Sequence, residues 1–267
     1  MVEIKRIPAI EFEDILARTK FNHSKLTKDY FLTLILYLIK DVEGIYFKGG
    51  TALNKIFLNH ARLSEDIDFT LTREVSEVKK EIIPIIEKSG LSDKISEDKN
   101  VEGFLRIIVH YTGFDGEKES VFIDLNQKGK LILPSELHKI NHFYSPFIPE
   151  FSIKTLAREE LVAEKVAASI RRNKPRDHFD VYQIIHTGIP IKMEIVKKKC
   201  SDSGDEFSII KMFNKAKTLK NRWDKDMGSL ISEPISFQEV MKFLAKHFKL
   251  KDEKENAKNA KKKNEKR

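Results

Sequence analysis

The sequence is notable first for what it lacks. Its 267 residues include one cysteine, Cys200, so an intrachain disulfide framework is excluded and a cytoplasmic setting is the simplest expectation. There is no long hydrophobic run. The longest, residues 30–39, is interrupted by Thr33 and falls far short of the ~20 apolar residues that span a bilayer, so no membrane partner is expected. Met1-Val2-Glu3-Ile4-Lys5-Arg6 has no signal-peptide core. The histidines do not form a metal pair: His178 and His186 are out of ligand spacing, and His60, His138 and His142 follow no ligand pattern. No nucleophile–His–Asp arrangement stands out.

What is present is a core-forming, highly charged chain. Hydrophobic residues make up 40%, enough for a real core, and charged residues 34%, which indicates a soluble protein. The length suits one large domain or two small ones. The formal charge is +8, of which the segment from Lys251 onward holds about half. A second basic surplus lies in residues 151–200, with eleven Lys/Arg against six Asp/Glu. It is either a phosphate-attracting region or a solvated face of a lysine-rich protein.

The chain is organised around Phe47-Lys48-Gly49-Gly50-Thr51-Ala52-Leu53 and, after a spacer, Arg62-Leu63-Ser64-Glu65-Asp66-Ile67-Asp68-Phe69. Ile45-Tyr46-Phe47 reads as a buried strand meeting a glycine turn. Leu53, Ile56 and Phe57 continue at helical spacing. Paired glycines that open a helix turn backbone N–H groups toward an anion, so Gly49, Gly50 and Thr51 are candidate phosphate binders. On a strand, Asp66 and Asp68 share one face while Ile67 and Phe69 turn to the core. Two adjacent carboxylates call for a cation, and such oxygens suit Mg²⁺ (or Mn²⁺) with substrate phosphates. Taken alone, an Asp-x-Asp is equally a solvated strand edge.

Around this stretch, residues 11–19 and 25–40 read as helices, the second capped by Ser24 or Thr27. Residues 76–88 are helical in pattern, with Pro84 expected to kink or break the helix and Gly90 to stop it. Residues 91–103 are polar and read as a loop. Residues 104–111 and 120–126 read as a hairpin. Asp124 lies among apolar residues and needs a cation or donors; the alternatives are a strand-end carboxylate facing water or one paired with Arg106. Residues 130–150, punctuated by Pro134, Pro146 and Pro149, read as a crossover between domains. Thr155 is a candidate cap for a helix to about Arg172, in which Lys165, Ser169 and Arg172 share a stripe. A further helix starts at Arg176, with Asp177 and Asp180 on one face. Residues 191–250 look helical in pieces. The end, 251–267, is low-complexity and reads as a disordered basic tail or a frayed helix.

Lys48-Gly49-Gly50-Thr51-Ala52-Leu53 followed by Arg62, Ser64 and Asp66-Ile67-Asp68-Phe69 resembles the AbiEii/AbiGii toxin family of nucleotidyltransferases, in the polymerase-beta-like superfamily. Glu164-Lys165-Val166-Ala167-Ala168, Arg176-Asp177 and Asp180 resemble later blocks of the same family. The resemblance spans about residues 40–190. It implies an α/β (α+β) nucleotidyltransferase domain with a mixed sheet (1–150), a mainly α-helical domain (151–250) and the basic tail. It places the active site in a cleft between the two domains. Asp66, Asp68 and Asp124 would hold metal, with Asp124 helping to deprotonate the acceptor. Gly49, Gly50, Thr51, Arg62, Ser64, Lys165 and Asp180 would bind the nucleotide, with Asp177 or Asp180 orienting Lys165 or a base. On residues alone, Lys165 is a solvated lysine and Asp177 serves a helix dipole. The implied reaction is Mg²⁺-dependent transfer of a nucleoside monophosphate from an NTP to RNA or tRNA. The implied setting is a toxin–antitoxin or phage-defence pair, with an antitoxin as partner. The alternatives are a small-molecule nucleotidyltransferase and a non-catalytic RNA- or protein-binding module.

Overall fold

The computed structural model describes residues 6–172 and 174–264, with the backbone alone over 260–264. The chain divides into two compact units, Met1–Leu161 with Ser229–Ser232, and Val162–Gly228 with Glu233–Arg267.

The first unit opens with α1 (Ala9–Thr19) and α2 (His23–Ile39). The cap of α2 is Asn22, whose side chain accepts from the Lys25 amide at 3.2 Å; Ser24 and Thr27 fall inside the helix. Next come β1 (Ile45–Lys48), α3 (Gly49–Ile56), β2 (Asp66–Leu71) and α4 (Val75–Lys88). Pro84 does not break α4. Val78, Ile82 and Ile86 anchor one side of the helix in the core, while Pro84 is exposed, so the carbonyl its ring leaves unmatched lies toward water. The remaining strands are β3 (Lys94–Val101), β4 (Phe104–Thr112), β5 (Lys118–Asn126), β6 (Glu136–Lys139) and β7 (Ser152–Thr155).

These strands form one mixed sheet in the order β3-β4-β5-β2-β1-β7-β6. The pairs β2–β5 and β1–β7 are parallel and the rest antiparallel. Three segments differ from the sequence expectation. Residues 94–101 are a strand rather than loop. β3 is an edge strand, paired on one side only and largely exposed, so its polar composition follows from its place. The proline-rich crossover contains β6, the other edge. Thr155 ends β7 rather than capping a helix; its hydroxyl donates to Leu156 O at 2.8 Å.

The strand alternation gives the sheet two different faces. Ile107, Ile123 and Ile67 stand in one register row across β4, β5 and β2, all fully buried. Each such side chain contributes roughly 1.5–3 kcal/mol of burial. Helix α2 packs over this apolar face: Phe31 stacks on Tyr111 with ring centroids 3.9 Å apart. The charged residues between these apolar positions are thereby placed on the opposite face.

The helix α5 (Arg158–Arg171) carries the boundary between the units. Its Glu160, fully buried, accepts from the amides of Ile132 and Leu133 at 3.0 Å. The second unit is helical: α6 (Pro175–His186), α7 (Met193–Asp202), a 3-10 turn (Ile209–Phe213), α8 (Ala216–Met227), α9 (Phe237–His247) and α10 (Leu250–Asn264). Trp223 is buried here and donates to Ile235 O at 2.8 Å. The basic tail continues as helix α10 through Asn264, against α9 and the 3-10 turn, rather than as irregular chain. Its side chains from Lys251 to Asn259 are exposed except the half-buried Ala257.

Candidate active site

β1 delivers the chain to Gly49, which has φ +80° and opens α3. A Cβ there would lie 2.3 Å from Asp68 Oδ2. Only glycine meets both demands, the left-handed backbone and a carboxylate against the Cα. The first glycine of the turn and the second aspartate of Asp-x-Asp are therefore in direct apposition.

Further contacts lock helix α3 to β2. The Thr51 hydroxyl, buried, donates to the Asp66 carbonyl. The Asn54 amide donates to Gly50 O at 2.9 Å, and its oxygen accepts from the Arg62 amide at 3.1 Å. Arg62 and Ser64 are buried, and Arg62 donates to Leu63 O at 2.9 Å and to Ser64 Oγ at 3.1 Å. The expected nucleotide binders Thr51, Arg62 and Ser64 thus turn these groups to the protein and shape the loop that aims β2. Asn54 was not singled out from sequence, although a polar residue between Leu53 and Ile56 is a visible signal.

Beneath α3, Lys55 and Asp29 form a fully buried pair at 2.8 Å. Thr33 accepts from Lys55 at 2.8 Å and the Tyr144 hydroxyl donates to Asp29 at 3.2 Å. Burial lowers the pKa of Lys55 against the opposing pull of Asp29. Burial, then the Lys55 charge, holds His60 and His142 down at about 4. These histidines are neutral packing groups at neutral pH. The network escaped the sequence reading because Asp29 and Lys55 become neighbours only when α2 and α3 pack.

On the face of the sheet away from α2, strand register aligns Lys48 (β1), Asp68 (β2), Asp124 (β5), Arg106 (β4) and Asp98 (β3) in one row. Asp66 sits two residues from Asp68 on the same face of β2, and all three core carboxylates of the group are half-buried. Asp124 is beside Asp68 in parallel register and is paired with Arg106. Nε and Nη2 of Arg106 each donate to one Asp124 oxygen at 2.7 Å. The guanidinium lies over the Phe122 ring, 5.0 Å from its centroid. Its pKa is raised by the hydrogen bonds to Asp124, against partial burial, with further support from the charges of Asp66 and Asp98. Asp66 and Asp68 fit a hard divalent cation, which takes one or two carboxylates together with phosphate oxygens. Among the described residues, no group of three or more His, Cys, Asp or Glu side chains is arranged to hold a metal.

In the second unit, Lys165 lies 3.0 Å from Asp177 Oδ1 and 3.0 Å from Asp180 Oδ2. Arg172 donates to both oxygens of Asp177, at 3.2 and 2.9 Å. Lys165, Asp177 and Asp180 are at most 6% exposed, so Lys165 is no solvated lysine. Burial pushes the Asp177 carboxyl up, but the charges and hydrogen bonds of Lys165 and Arg172 outweigh it and hold it below the usual carboxylate range. Buried His178 faces carbonyl oxygens with both ring nitrogens, Lys174 O at 3.0 Å and Met212 O at 2.8 Å, which leaves neither for a metal.

A glycine turn pressed against an Asp-x-Asp strand, in a mixed sheet backed by helices, is the framework of a nucleotidyltransferase. Residues 34–245 match the family described as nucleotidyl transferase AbiEii toxin, type IV TA system. The chain belongs to this family and is a nucleotidyltransferase of the AbiEii type. In structure it is similar to MenT4, a nucleotidyltransferase toxin from Mycobacterium tuberculosis H37Rv, with TM-score 0.67 and 19% identity over 91% of this chain and 89% of that one. It is also similar to JHP933 from Helicobacter pylori, with TM-score 0.60 and 15% identity over 90% of this chain and 98% of that one. These likenesses concern the fold. No curated protein matches the chain in sequence. Among the described residues, no helix is long and apolar enough to cross a membrane.

Proposed function

We propose that this chain transfers a nucleoside monophosphate from an NTP to an RNA acceptor, tRNA foremost, with release of pyrophosphate, as the toxin partner of an antitoxin in the cytoplasm. The observation that carries the reading is the apposition of Gly49 to Asp68, where the glycine turn that opens α3 meets the Asp-x-Asp strand, an arrangement suited to holding phosphate beside a carboxylate pair. Asp66 and Asp68 would hold a divalent ion, Mg²⁺ or Mn²⁺. Bound there, such an ion supplies Lewis-acid charge to phosphate oxygens. The Gly49–Gly50–Thr51 backbone offers N–H groups to the triphosphate, and the Thr51 hydroxyl, committed to Asp66 O, keeps turn and strand in step. Arg62 and Ser64 act by shaping the loop before β2. Lys165, oriented by Asp177 and Asp180, supplies a compact positive charge for phosphate. The basic surplus of residues 151–200 favours a polyanionic acceptor.

The test is incubation with each common NTP, labelled at the α-phosphate, together with either total cellular RNA or a metabolite extract. Label in RNA, dependent on divalent ion, is expected. Label in a small molecule alone would assign the chain a metabolite acceptor, and no label in either would remove the transfer reading.

A further inference from the structure

One buried amide touches both halves of the candidate site. Asn54, 2% exposed, stands in the last turn of α3. Its Nδ2 donates to Gly50 O, in the glycine turn, at 2.9 Å. Its Oδ1 accepts from the Arg62 amide at 3.1 Å, on the approach to β2. Its backbone oxygen accepts from the His60 amide at 2.9 Å. The loop joining α3 to β2 reverses through Asn59 and His60, at φ 46° and 55°. Residues other than glycine rarely adopt this left-handed form, and it persists where the surroundings over-determine it. The two amides that bond to Asn54 tie that reversal to the helix. From Arg62 the order passes on: its guanidinium donates to Ser64 Oγ at 3.1 Å, just before β2 begins at Asp66.

We propose that Asn54 is a positioning residue for nucleotide transfer, whose carboxamide sets the glycine turn against the entry to the Asp-x-Asp strand. The inference deepens the transfer reading above and rests on it. Backbone N–H groups of the turn can hold phosphate wherever the turn lies, and the aspartates of β2 can hold a divalent ion wherever the strand lies. Transfer needs both in one geometry, and a displacement of about 1 Å costs on the order of a hundredfold in rate. The Gly49–Asp68 apposition and the bond from Thr51 to Asp66 O join helix and strand at the first turn of α3. Asn54 acts one turn further along, so the contacts together fix the direction of the helix as well as its closeness to β2.

The experiment compares wild type with two variants in the α-labelled NTP assay and in calorimetric titration with the same NTP. Asn54→Leu, close in size, removes both side-chain hydrogen bonds. Asn54→Asp keeps the acceptor for the Arg62 amide and loses the amide donor to Gly50 O. Turnover should fall on the order of a hundredfold in Asn54→Leu and about tenfold in Asn54→Asp. Both should still bind about one NTP per chain with a Kd within about threefold, because the N–H groups of the turn remain. The Mg²⁺ concentration for half-maximal rate should rise in both, since an ion on the aspartates then meets the phosphates less well. A mere loss of folded protein would lower the rate and the binding stoichiometry together and leave that concentration unmoved. Turnover per bound nucleotide equal to wild type in both variants overturns the proposal, as does an unmoved Mg²⁺ requirement. Absence of transfer by wild type overturns the reading beneath it instead. Thermal melts identify a variant that does not fold, and Asn54→Asp, the nearer in shape, decides the matter if Asn54→Leu fails.

Discussion

In the first unit, carboxylates gather half-buried on one face of a sheet, where Asp66, Asp68 and Asp124 share strand register with the cations Lys48 and Arg106. In the second, Lys165 and Arg172 meet Asp177 and Asp180 on two helices, with three of the four all but inaccessible. The first cluster keeps an acidic excess and access to solvent, the condition for recruiting a cation. The second is balanced and sealed, so its charges first of all hold the helices to each other. A buried pair is costly to assemble and costlier to break. The same residue types can therefore be removed from the sheet face at little structural expense but not from the helices.

The largest effect separates chemistry from folding. Asp66→Ala and Asp68→Ala should each lower nucleotide transfer by on the order of a thousandfold. Both variants should still fold, which thermal melts without metal check, so that the loss is one of chemistry. Near wild-type turnover in either variant would end the assignment of this strand to catalysis.

Lys165→Ala should lose both properties at once. Loss of a phosphate contact costs about a hundredfold in rate. Removing the cation between two buried carboxylates costs roughly 3 kcal/mol of stability as well, visible as a lowered Tm. Lys165→Arg should rescue poorly, because a planar fork does not fit a site built for a compact ammonium. A variant with a lowered Tm but unchanged turnover would make Lys165 purely structural.

Acid should part the two units. His60 and His142 titrate near 4 in the folded chain against 6.5 ordinarily, so the unfolded chain binds more protons between those values. The first unit should lose stability as pH falls from about 6.5 toward 4. The depressed carboxyl of Asp177 works in another window. Its contribution is present above its unfolded pKa of ~3.9 and is lost only as pH falls further. Hydrogen exchange from pH 7 to pH 4 should therefore show α2 and α3 losing protection before α5 and α6. The reverse order would contradict the buried-histidine account.

The smallest effect belongs to α10. Truncation before Lys251 removes a helix whose described side chains are nearly all exposed, so stability should change by less than about 1 kcal/mol. Any loss of RNA affinity should weaken steeply with added salt. A large fall in Tm would show that α10 is part of the core of the second unit.

The Gly-Gly turn and Asp-x-Asp strand were legible because each depends on its nearest neighbours. A glycine pair ends a strand, and alternation puts both aspartates on one face. The hairpin of β4 and β5 was legible for the same reason. β3 and β6 were not, because an edge strand is defined by the partner it finds, and its polar residues look like loop until that partner is known. Of the two outcomes open to Pro84, a kink or a break, the break does not occur, and whether a proline ends a helix depends on whether the face it occupies meets water or core.

The sequence by itself determined the local chemistry: which carboxylates share a strand, where the turn opens, and which residue types are offered to phosphate. Tertiary structure decided what each charge is paired with. Asp124 meets Arg106 through strand register, Asp29 meets Lys55 through helix packing, and Lys165 is enclosed by two aspartates from the next helix. The physical reason is range. Backbone alternation and turn geometry act over a few residues and are written in order along the chain. Charge pairing acts through space, between side chains that only the finished fold brings within hydrogen-bond distance.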